Sequence, residues 1–184
     1  MLSGRRLDLL EPSPLDIEID DIAHGLSRVA RWNGQTSGDW AFSVAEHSVL
    51  VADILALLRP RAPRKWLLAA LLHDASEYVV GDLISPFKAA VGFDYKDFEN
   101  RLMDAVHIRF GLIPPPGQEA RAAIKRSDTL AAYLEATQLA GFSKEEARRF
   151  FGAPSAKTAG IRLSPVPPDE AKALFLKRFG QLGG

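Results

Sequence analysis

Runs of apolar residues at helical spacing make up most of the chain, and this pattern limits the fold more than any other feature of the sequence. The clearest run starts at Ser43, where Ser43 and Glu46 form the Ser-x-x-Glu motif of a helix capping box and apolar residues continue to Leu58. One segment, 158–165, reads instead as a short strand or extended chain. The pattern predicts an all-α fold class. Further helices are expected at about 20–26, 64–80, 94–110, 118–139, 143–150 and 167–179.

A single domain accounts for the length and composition of the chain. With 184 residues, of which 47% are hydrophobic, the chain can bury one sizeable core. Lys and Arg together number 23, as do Asp and Glu, so the whole chain has no strong field for a nucleic-acid polymer or an anionic membrane. No apolar run reaches the roughly 18 residues of a membrane span, and the N-terminus does not read as a signal peptide. We therefore expect a cytoplasmic protein with neither a membrane nor a nucleic-acid polymer as partner.

The segment 71–82 combines an apolar helical run with residues that bind metals. His73 and Asp74 follow the apolar run directly, and Glu77 comes shortly after them. If the helix continues to Val80, His73 and Glu77 lie at i and i+4 on one face. Imidazole nitrogens and carboxylate oxygens suit a borderline divalent metal, and because the chain has no cysteine, any metal must be held by His, Asp or Glu. The alternative is a helix end whose charged residues only contact water.

Two further residues offer the same chemistry on other helices. His47 lies on the inward side of the apolar run that ends at Leu58, where an imidazole needs a metal or a carboxylate as partner. Asp128 lies close to core positions of its predicted helix, and a carboxylate there is unfavourable without a partner. That partner is a metal or, in the structural interpretation, Lys125, Arg126 or a backbone N–H.

The two remaining histidines, His24 and His107, are interpreted as structural residues. His107 lies near the C-terminal end of its predicted helix, where the helix dipole favours a protonated imidazole. We therefore do not assign either one to a metal site.

Two loops hold candidates for substrate contact. Arg31 and Trp32 lie in the loop 27–42, and together they can take a phosphate through the guanidinium and a base or sugar through the ring. The alternative is that Arg31 only stacks on Trp32. The second loop begins about one turn beyond Glu77, so its polar residues could reach the same pocket. They are Asp82, Ser85 and Lys88.

Taken in order, the ligand candidates are His47, His73, Asp74 and Asp128, from three separate helices. This order resembles the His…His-Asp…Asp signature of the HD-domain metal-dependent phosphohydrolases. Residues 73–88, with His-Asp-x-x-Glu followed by Gly-Asp and Pro-x-Lys, resemble the bacterial 5′-deoxynucleotidase branch of that family. The Val-Ala-Glu-His-Ser segment around His47 and the Arg-Trp pair upstream of it match the same branch. The resemblance covers roughly residues 20–140.

The resemblance implies an HD-type helical bundle formed as a single domain by residues 1–184. Its core would span about 20–140, and 141–184 would add a C-terminal helical extension without a counterpart in the family. It also implies one divalent metal ion, Mn, Co, Ni, Fe, Zn or Mg, because His24 and His107 are not paired as a two-metal site would need. The implied metal ligands are His47, His73, Asp74 and Asp128.

The catalytic roles of the family fall on residues that this chain has. Glu77 matches the residue near the attacking water and would act as general base. Arg31 matches the residue that orients the phosphate, and the loop 82–85 matches the segment that meets the nucleoside. Two departures affect this comparison: the metal-ligand motifs are closer together than is usual in that branch, and the loop 33–42 is built differently. The implied catalytic residues are Glu77, Arg31 and Asp82, and the implied substrate-binding residues are Arg31, Trp32, Asp82, Ser85 and Lys88.

These residues predict an enzyme that hydrolyses nucleoside 5′-monophosphates to nucleoside and phosphate through a metal-activated water. One alternative is a related hydrolase of another phosphorylated small molecule, such as a signalling nucleotide or a nucleoside triphosphate. Another is a non-catalytic HD-like regulatory domain, which would not need the water-activating carboxylate of Glu77. The expected partner is a small phosphorylated substrate. Apolar helix residues predicted to be exposed also favour a homodimer: Phe150, Phe151, Leu174 and Phe175.

Overall fold

Helices form the whole regular structure of the residues that can be described. A computed structural model describes residues 1–83 and 93–183, and in these ranges the all-α prediction is confirmed, with one isolated antiparallel bridge between Ala30 and Ser43. The segment 158–165 follows a short 3₁₀-helix and runs without strand pairing. The helices of the described ranges are α1 (Ile19–Leu26), α2 (Val44–Leu58), α3 (Arg64–Leu71), α4 (Glu77–Val80), α5 (Phe93–Arg109), α6 (Gln118–Gln138), α7 (Lys144–Phe151) and α8 (Pro168–Gln181).

Helix α2 lies at the centre of the bundle. It packs against α3, α6 and α8, and it is buried around most of its circumference because most of its residues are apolar. The predicted capping box begins it: Glu46 N–H donates to Ser43 Oγ at 3.3 Å, and Ser43 N–H donates to Glu46 Oε2 at 2.8 Å. This central position leaves His47 fully buried.

The prediction of one continuous helix at 64–80 is wrong, because a turn that contains His73 and Asp74 separates α3 from α4. The His73 ring competes with the helix backbone, since its Nδ1 lies 2.8 Å from the carbonyl oxygen of Ala70. After it, Glu77 N–H donates to the Asp74 carbonyl, only three residues back, at 3.0 Å. His73 and Glu77 therefore do not lie at i and i+4 on one helix face.

The longest described helix, α6, supplies two carboxylates to the interior. Asp128 and Glu135 lie two helical turns apart on the same side, and both come close to His47. Charged residues occur along the whole of α6. None of the helices that the structure describes has both the length and the apolar character needed to cross a membrane.

The C-terminal helices belong to the packed bundle. α7 packs against α6, and α8 packs against α1, α2 and α3. Phe175 is fully buried in the core, so the prediction that it lies on an exposed face is wrong: this side of α8 faces the bundle. Phe150 is 69% exposed and Leu174 is 40% exposed, while Phe151 is partly buried. A homodimer through these remaining residues stays a prediction.

Candidate active site

Three elements bring the four predicted metal ligands into one cluster. His47 comes from α2, His73 and Asp74 from the turn after α3, and Asp128 from α6. His47 Nε2 lies 3.4 Å from Asp128 Oδ1 and 3.5 Å from Asp74 Oδ2. His73 Nε2 lies 3.2 Å from the same Asp74 oxygen. One ligand atom each from His47, His73 and Asp128 all lie within 4.8 Å of one another, which is close enough for a single metal ion.

The two histidines have the arrangement expected of metal ligands. Within the described part of the chain, Nε2 of His47 and Nε2 of His73 are buried without a hydrogen-bond partner, which is costly in a folded protein. The other ring nitrogen of each is engaged: His47 Nδ1 donates to Glu135 Oε1 at 2.5 Å, and His73 Nδ1 donates to the Ala70 carbonyl at 2.8 Å. Such a bond from the second nitrogen is typical of histidines that bind metals. The donor set therefore fits a divalent cation.

Electrostatic interactions keep the acidic members of the cluster ionised. Burial alone would raise the pKa of Asp74 and of Asp128, but the neighbouring imidazoles outweigh it and hold both pKa values well below the usual range. Burial and the Arg31 guanidinium lower the pKa of His47, whereas the Glu135 and Asp128 carboxylates outweigh them and raise it to about 10. Without a cation, His47 therefore carries a proton on both ring nitrogens at neutral pH.

Arg31 is fixed between two carboxylates beside the cluster. Its Nη1 donates to Asp82 Oδ2 at 3.0 Å, and its Nε donates to Glu135 Oε2 at 3.4 Å. Burial would lower the pKa of Arg31, but these two carboxylates, with Asp74 and Glu77 further away, keep it above its ordinary value. The structure thus brings Arg31 and Asp82 next to the cluster. Asp82 is held there by its hydrogen bond with Arg31.

Trp32 is held mainly by other aromatic side chains. Its ring centroid lies 5.6 Å from that of Phe142 and 6.0 Å from that of Phe151, and its indole N–H donates to Glu135 Oε2 at 2.9 Å. Trp32 and Asn33 both have positive φ, 56° and 52°, a backbone region that such residues seldom adopt. These contacts fix the loop next to Arg31. A contact between Trp32 and a base or sugar stays a prediction.

Of the remaining predicted residues, the structure describes the position of Glu77 but not those of Ser85 and Lys88. Glu77 is buried at the start of α4, close enough to Arg31 to affect its pKa. Ser85 and Lys88 lie outside the described residues. Their roles in substrate binding stay predictions.

A cavity of about 550 Å³ opens next to the cluster, between α3, α5 and α6. Its volume lies within the range of roughly 300–1,000 Å³ that is typical of small-molecule sites. His73 and Asp128 form part of its wall, so a ligand in the cavity would reach the metal ligands directly. The other described lining residues are Ala69, Asn100, Met103, Asp104, His107, Pro115, Pro116, Arg121, Ile124 and Lys125.

Comparison with known protein families agrees with this geometry. A model of the YfbR-like 5′-deoxynucleotidases matches residues 21–166, a range that includes every candidate site residue. The chain belongs to the YfbR-like 5′-deoxynucleotidase family. Membership identifies it as a phosphohydrolase at the level of the family.

Individual relatives of this YfbR-like protein differ in how much of it they match. An uncharacterized protein of Rhodobacter capsulatus is 56% identical over 182 residues, covering 97% of this chain and 91% of the relative. The uncharacterized protein YfdR of Escherichia coli is 29% identical over 167 residues, covering 91% and 85%. The 5′-deoxynucleotidase YfbR of Shigella flexneri is 32% identical over 116 residues, covering 50% and 58%. Of these three relatives, the one named for an activity therefore matches the smallest share of this chain.

Sequence reasoning missed one residue of this YfbR-like site, Glu135. It is fully buried and accepts hydrogen bonds from His47, Arg31 and Trp32. Burial would raise the pKa of Glu135, but His47 and Arg31 outweigh it and lower the pKa, so Glu135 stays ionised. Its position two turns after Asp128, within an apolar part of α6, is the sequence pattern that could have identified it.

Proposed function

We propose that the protein hydrolyses nucleoside 5′-monophosphates to a nucleoside and inorganic phosphate, using one divalent cation held by His47, His73, Asp74 and Asp128. The observation that carries this proposal is the pair of buried imidazole Nε2 atoms that, among the described residues, have no hydrogen-bond partner and lie beside two carboxylates. The relatives named 5′-deoxynucleotidase support a nucleotide as the substrate.

Two imidazole nitrogens and two carboxylate oxygens would hold the cation. A divalent cation in this position supplies positive charge to the phosphate oxygens and increases the acidity of a water molecule. Glu135 would keep the His47 ring in its orientation by accepting from Nδ1–H, and the Ala70 carbonyl would do the same for His73. Because the donor set has no thiolate, it accommodates Mn, Co, Ni, Fe, Zn and Mg alike.

Arg31 would orient the phosphate. Its bonds to Asp82 and Glu135 set the direction of the guanidinium before substrate binds, so little reorganisation is needed during the reaction. A guanidinium has five N–H donors, and those that the carboxylates leave can bond phosphate oxygens. Asp82 would act by positioning Arg31 and, with Trp32, by bordering the nucleoside.

Glu77 would act as the general base. Its carboxylate is buried beside Arg31, in a place from which water is largely excluded. It would take a proton from the attacking water as the water oxygen bonds to phosphorus and the bond from phosphorus to the 5′-oxygen breaks. The leaving 5′-oxygen takes up a proton from solvent to give the nucleoside, Glu77 releases the proton it took to solvent, and the water oxygen leaves as part of the phosphate.

Metal analysis of the purified protein and a phosphate-release screen test this proposal together. We expect cation-dependent release of phosphate from nucleoside 5′-monophosphates and none from the 3′-monophosphates, with Asp128→Asn as the inactive control. Release from nucleoside triphosphates or phosphorylated signalling nucleotides alone would favour the other substrate class. Nucleotide binding without release of phosphate would favour a regulatory domain.

Replacing Arg31 tests its assigned role. Arg31→Ala should retain the bound cation and lose activity by roughly 2–4 kcal/mol of transition-state stabilisation, the usual effect of removing one preorganised contact. The matched control is Arg28→Ala, since Arg28 forms an ion pair with the exposed Asp169 instead. Unchanged kcat/KM in Arg31→Ala would assign Arg31 and Trp32 a structural role only.

A further inference from the structure

The turn that follows Arg31 has a backbone conformation that its residues seldom adopt. Trp32 and Asn33 come directly after Arg31, and both lie in the left-handed region, with φ of 56° and 52°. This region is unfavourable for a residue such as tryptophan, because its Cβ comes too close to the following carbonyl oxygen. Such a conformation persists only where surrounding contacts hold it. Because Trp32 is joined to Arg31, the contacts that hold Trp32 also restrict Arg31.

Two phenylalanines supply these contacts to the Trp32 ring. The ring of Phe142 is tilted by 59° to the indole, with centroids 5.6 Å apart, and the ring of Phe151 meets it edge-on at 82°, with centroids 6.0 Å apart. Tilted and edge-to-face pairs at such distances are favourable beyond the area that they bury. Phe150, the neighbour of Phe151, is 69% exposed, and within the described ranges its ring pairs with the two phenylalanines but not with Trp32.

One carboxylate oxygen links the indole to the Arg31 guanidinium. Glu135 Oε2 accepts from Trp32 Nε1–H at 2.9 Å and from Arg31 Nε–H at 3.4 Å. Because both donors share this oxygen, a movement of the indole changes the acceptor that is available to Arg31. The backbone and this shared oxygen are therefore two routes by which the packing of the Trp32 ring affects the direction of the guanidinium.

We propose that Phe142 and Phe151 are positioning residues: by holding Trp32 in its left-handed turn, they keep the Arg31 guanidinium directed at the phosphate of the substrate. This inference rests on the proposed function, in which Arg31 orients the phosphate. A phenylalanine side chain has no polar group that could bond a phosphate or hold a cation, so its effect on the reaction must pass through its neighbours. The inference extends the site to α7, the helix that ends at Phe151.

The test is a double-mutant cycle between Phe151 and Arg31 in the metal-loaded protein. Phe151→Leu removes the ring but keeps an apolar side chain. It should lower kcat/KM for a nucleoside 5′-monophosphate roughly tenfold, the upper end of what one aromatic pair contributes. In the Arg31→Ala background the same substitution should lower kcat/KM less than about twofold, because the group that Phe151 positions is absent. A tenfold loss in both backgrounds would show that Phe151 acts independently of Arg31 and would overturn the proposal.

Three further variants separate positioning from a general effect on packing. Phe151→Tyr keeps the ring and should retain near-native kcat/KM. Phe150→Leu is the matched control, because it changes the adjacent, exposed ring and should alter kcat/KM less than about twofold. Phe142→Leu removes the second ring contact, and its effect should depend on Arg31 in the same way. Equal losses in Phe150→Leu and Phe151→Leu would contradict a specific contact with Trp32.

Binding of inorganic phosphate to the metal-loaded protein, measured by calorimetry, separates this inference from the proposed function. Phe151→Leu should weaken phosphate binding severalfold where Arg31 is present and leave it unchanged in the Arg31→Ala background. If this pattern is found but no nucleoside 5′-monophosphate is hydrolysed, the proposed function fails and the positioning role stands. If monophosphates are hydrolysed and Phe151→Leu matches the unmodified protein in phosphate binding and in kcat/KM, the positioning role is wrong and the proposed function stands.

Discussion

The candidate site has two halves that are held in different ways. The buried half consists of His47 and Glu135, whose side chains are both 0% exposed. The open half consists of His73, Asp74 and Asp128, which are 12%, 25% and 20% exposed. A hydrogen bond between His47 and the Glu135 carboxylate fixes the buried half, whereas the partners of the open half include a backbone carbonyl for His73 and the exposed Lys125 for Asp128.

This difference in burial indicates which substitutions should destabilise the fold and which should mainly affect metal binding and catalysis. In the buried half, each charge has a partner that water cannot replace, so removing one partner leaves another charge uncompensated in the interior. In the open half, the side chains are partly exposed, so their replacement should cost less folding energy. We therefore expect substitutions in the buried half to change mainly the free energy of unfolding. Substitutions in the open half should change mainly metal binding and activity.

The largest effect on activity is expected in the open half. His73→Ala should remove the bound divalent cation and abolish phosphatase activity, a loss of several kcal/mol of transition-state stabilisation. The free energy of unfolding of the metal-free protein should change by no more than about 1 kcal/mol. Metal content, phosphate release and urea unfolding measure these quantities. A variant that keeps one equivalent of metal would exclude His73 as a ligand.

The largest effect on folding is expected in the buried half. Glu135→Ala leaves His47 and Arg31 without their buried carboxylate and should destabilise the protein by about 3–5 kcal/mol. Glu135→Gln keeps an acceptor and should lose less. Glu119→Ala is the control, because Glu119 pairs with Arg59 at the surface and its loss should change stability by no more than about 0.5 kcal/mol. Similar unfolding midpoints for Glu135→Ala and Glu119→Ala would contradict the division into two halves.

Local interactions explain why part of the fold could be predicted from the sequence. The capping box at Ser43 and Glu46 lies within one turn of chain, so it sets the start of α2 where the motif predicts. The order of His47, His73, Asp74 and Asp128 likewise predicts a cluster that the structure brings together.

Long-range interactions explain why other parts could not. The pattern along α6 can single out Glu135 as a buried carboxylate, but its bonds to His47 and Arg31 span 88 and 104 positions, so no local pattern identifies these partners. The end of α3 depends on the His73 ring turning back to the Ala70 carbonyl, which an apolar helical period does not show. The sequence shows the helix dipole that favours a protonated His107, but it does not show the burial by other elements that lowers the pKa of His107.

An intermediate effect is expected at Glu77, which follows His73 and Asp74 along the chain. Glu77→Gln keeps the shape of the side chain but removes the basic carboxylate. We expect it to bind metal and nucleoside monophosphate with near-native affinity and to hydrolyse the substrate at least about a hundredfold more slowly. Calorimetry and steady-state kinetics measure the two quantities. Full activity would mean that another group accepts the proton from the water, and loss of metal would make Glu77 a support of the metal site.

The smallest effect, per pH unit, is a pH dependence of stability that should disappear when metal binds. The pKa of His47 is raised to about 10, above its ordinary value of 6.5, so the stability it contributes without metal is complete below pH 6.5 and is lost as pH rises toward 10. The lowered pKa values of Asp74, Asp128 and Glu135 act only at acidic pH, so they do not affect a window of pH 6.5–9.

In that window the free energy of unfolding should fall by about 1.4 kcal/mol per pH unit in the presence of a chelator, the value for one proton. With excess divalent cation the slope should be close to zero, because the metal-bound His47 and the unfolded His47 then carry the same number of protons. Urea unfolding at several pH values, with and without metal, measures both slopes. Parallel slopes in the two conditions would mean that His47 does not exchange a proton for the cation, and would remove it from the ligand set.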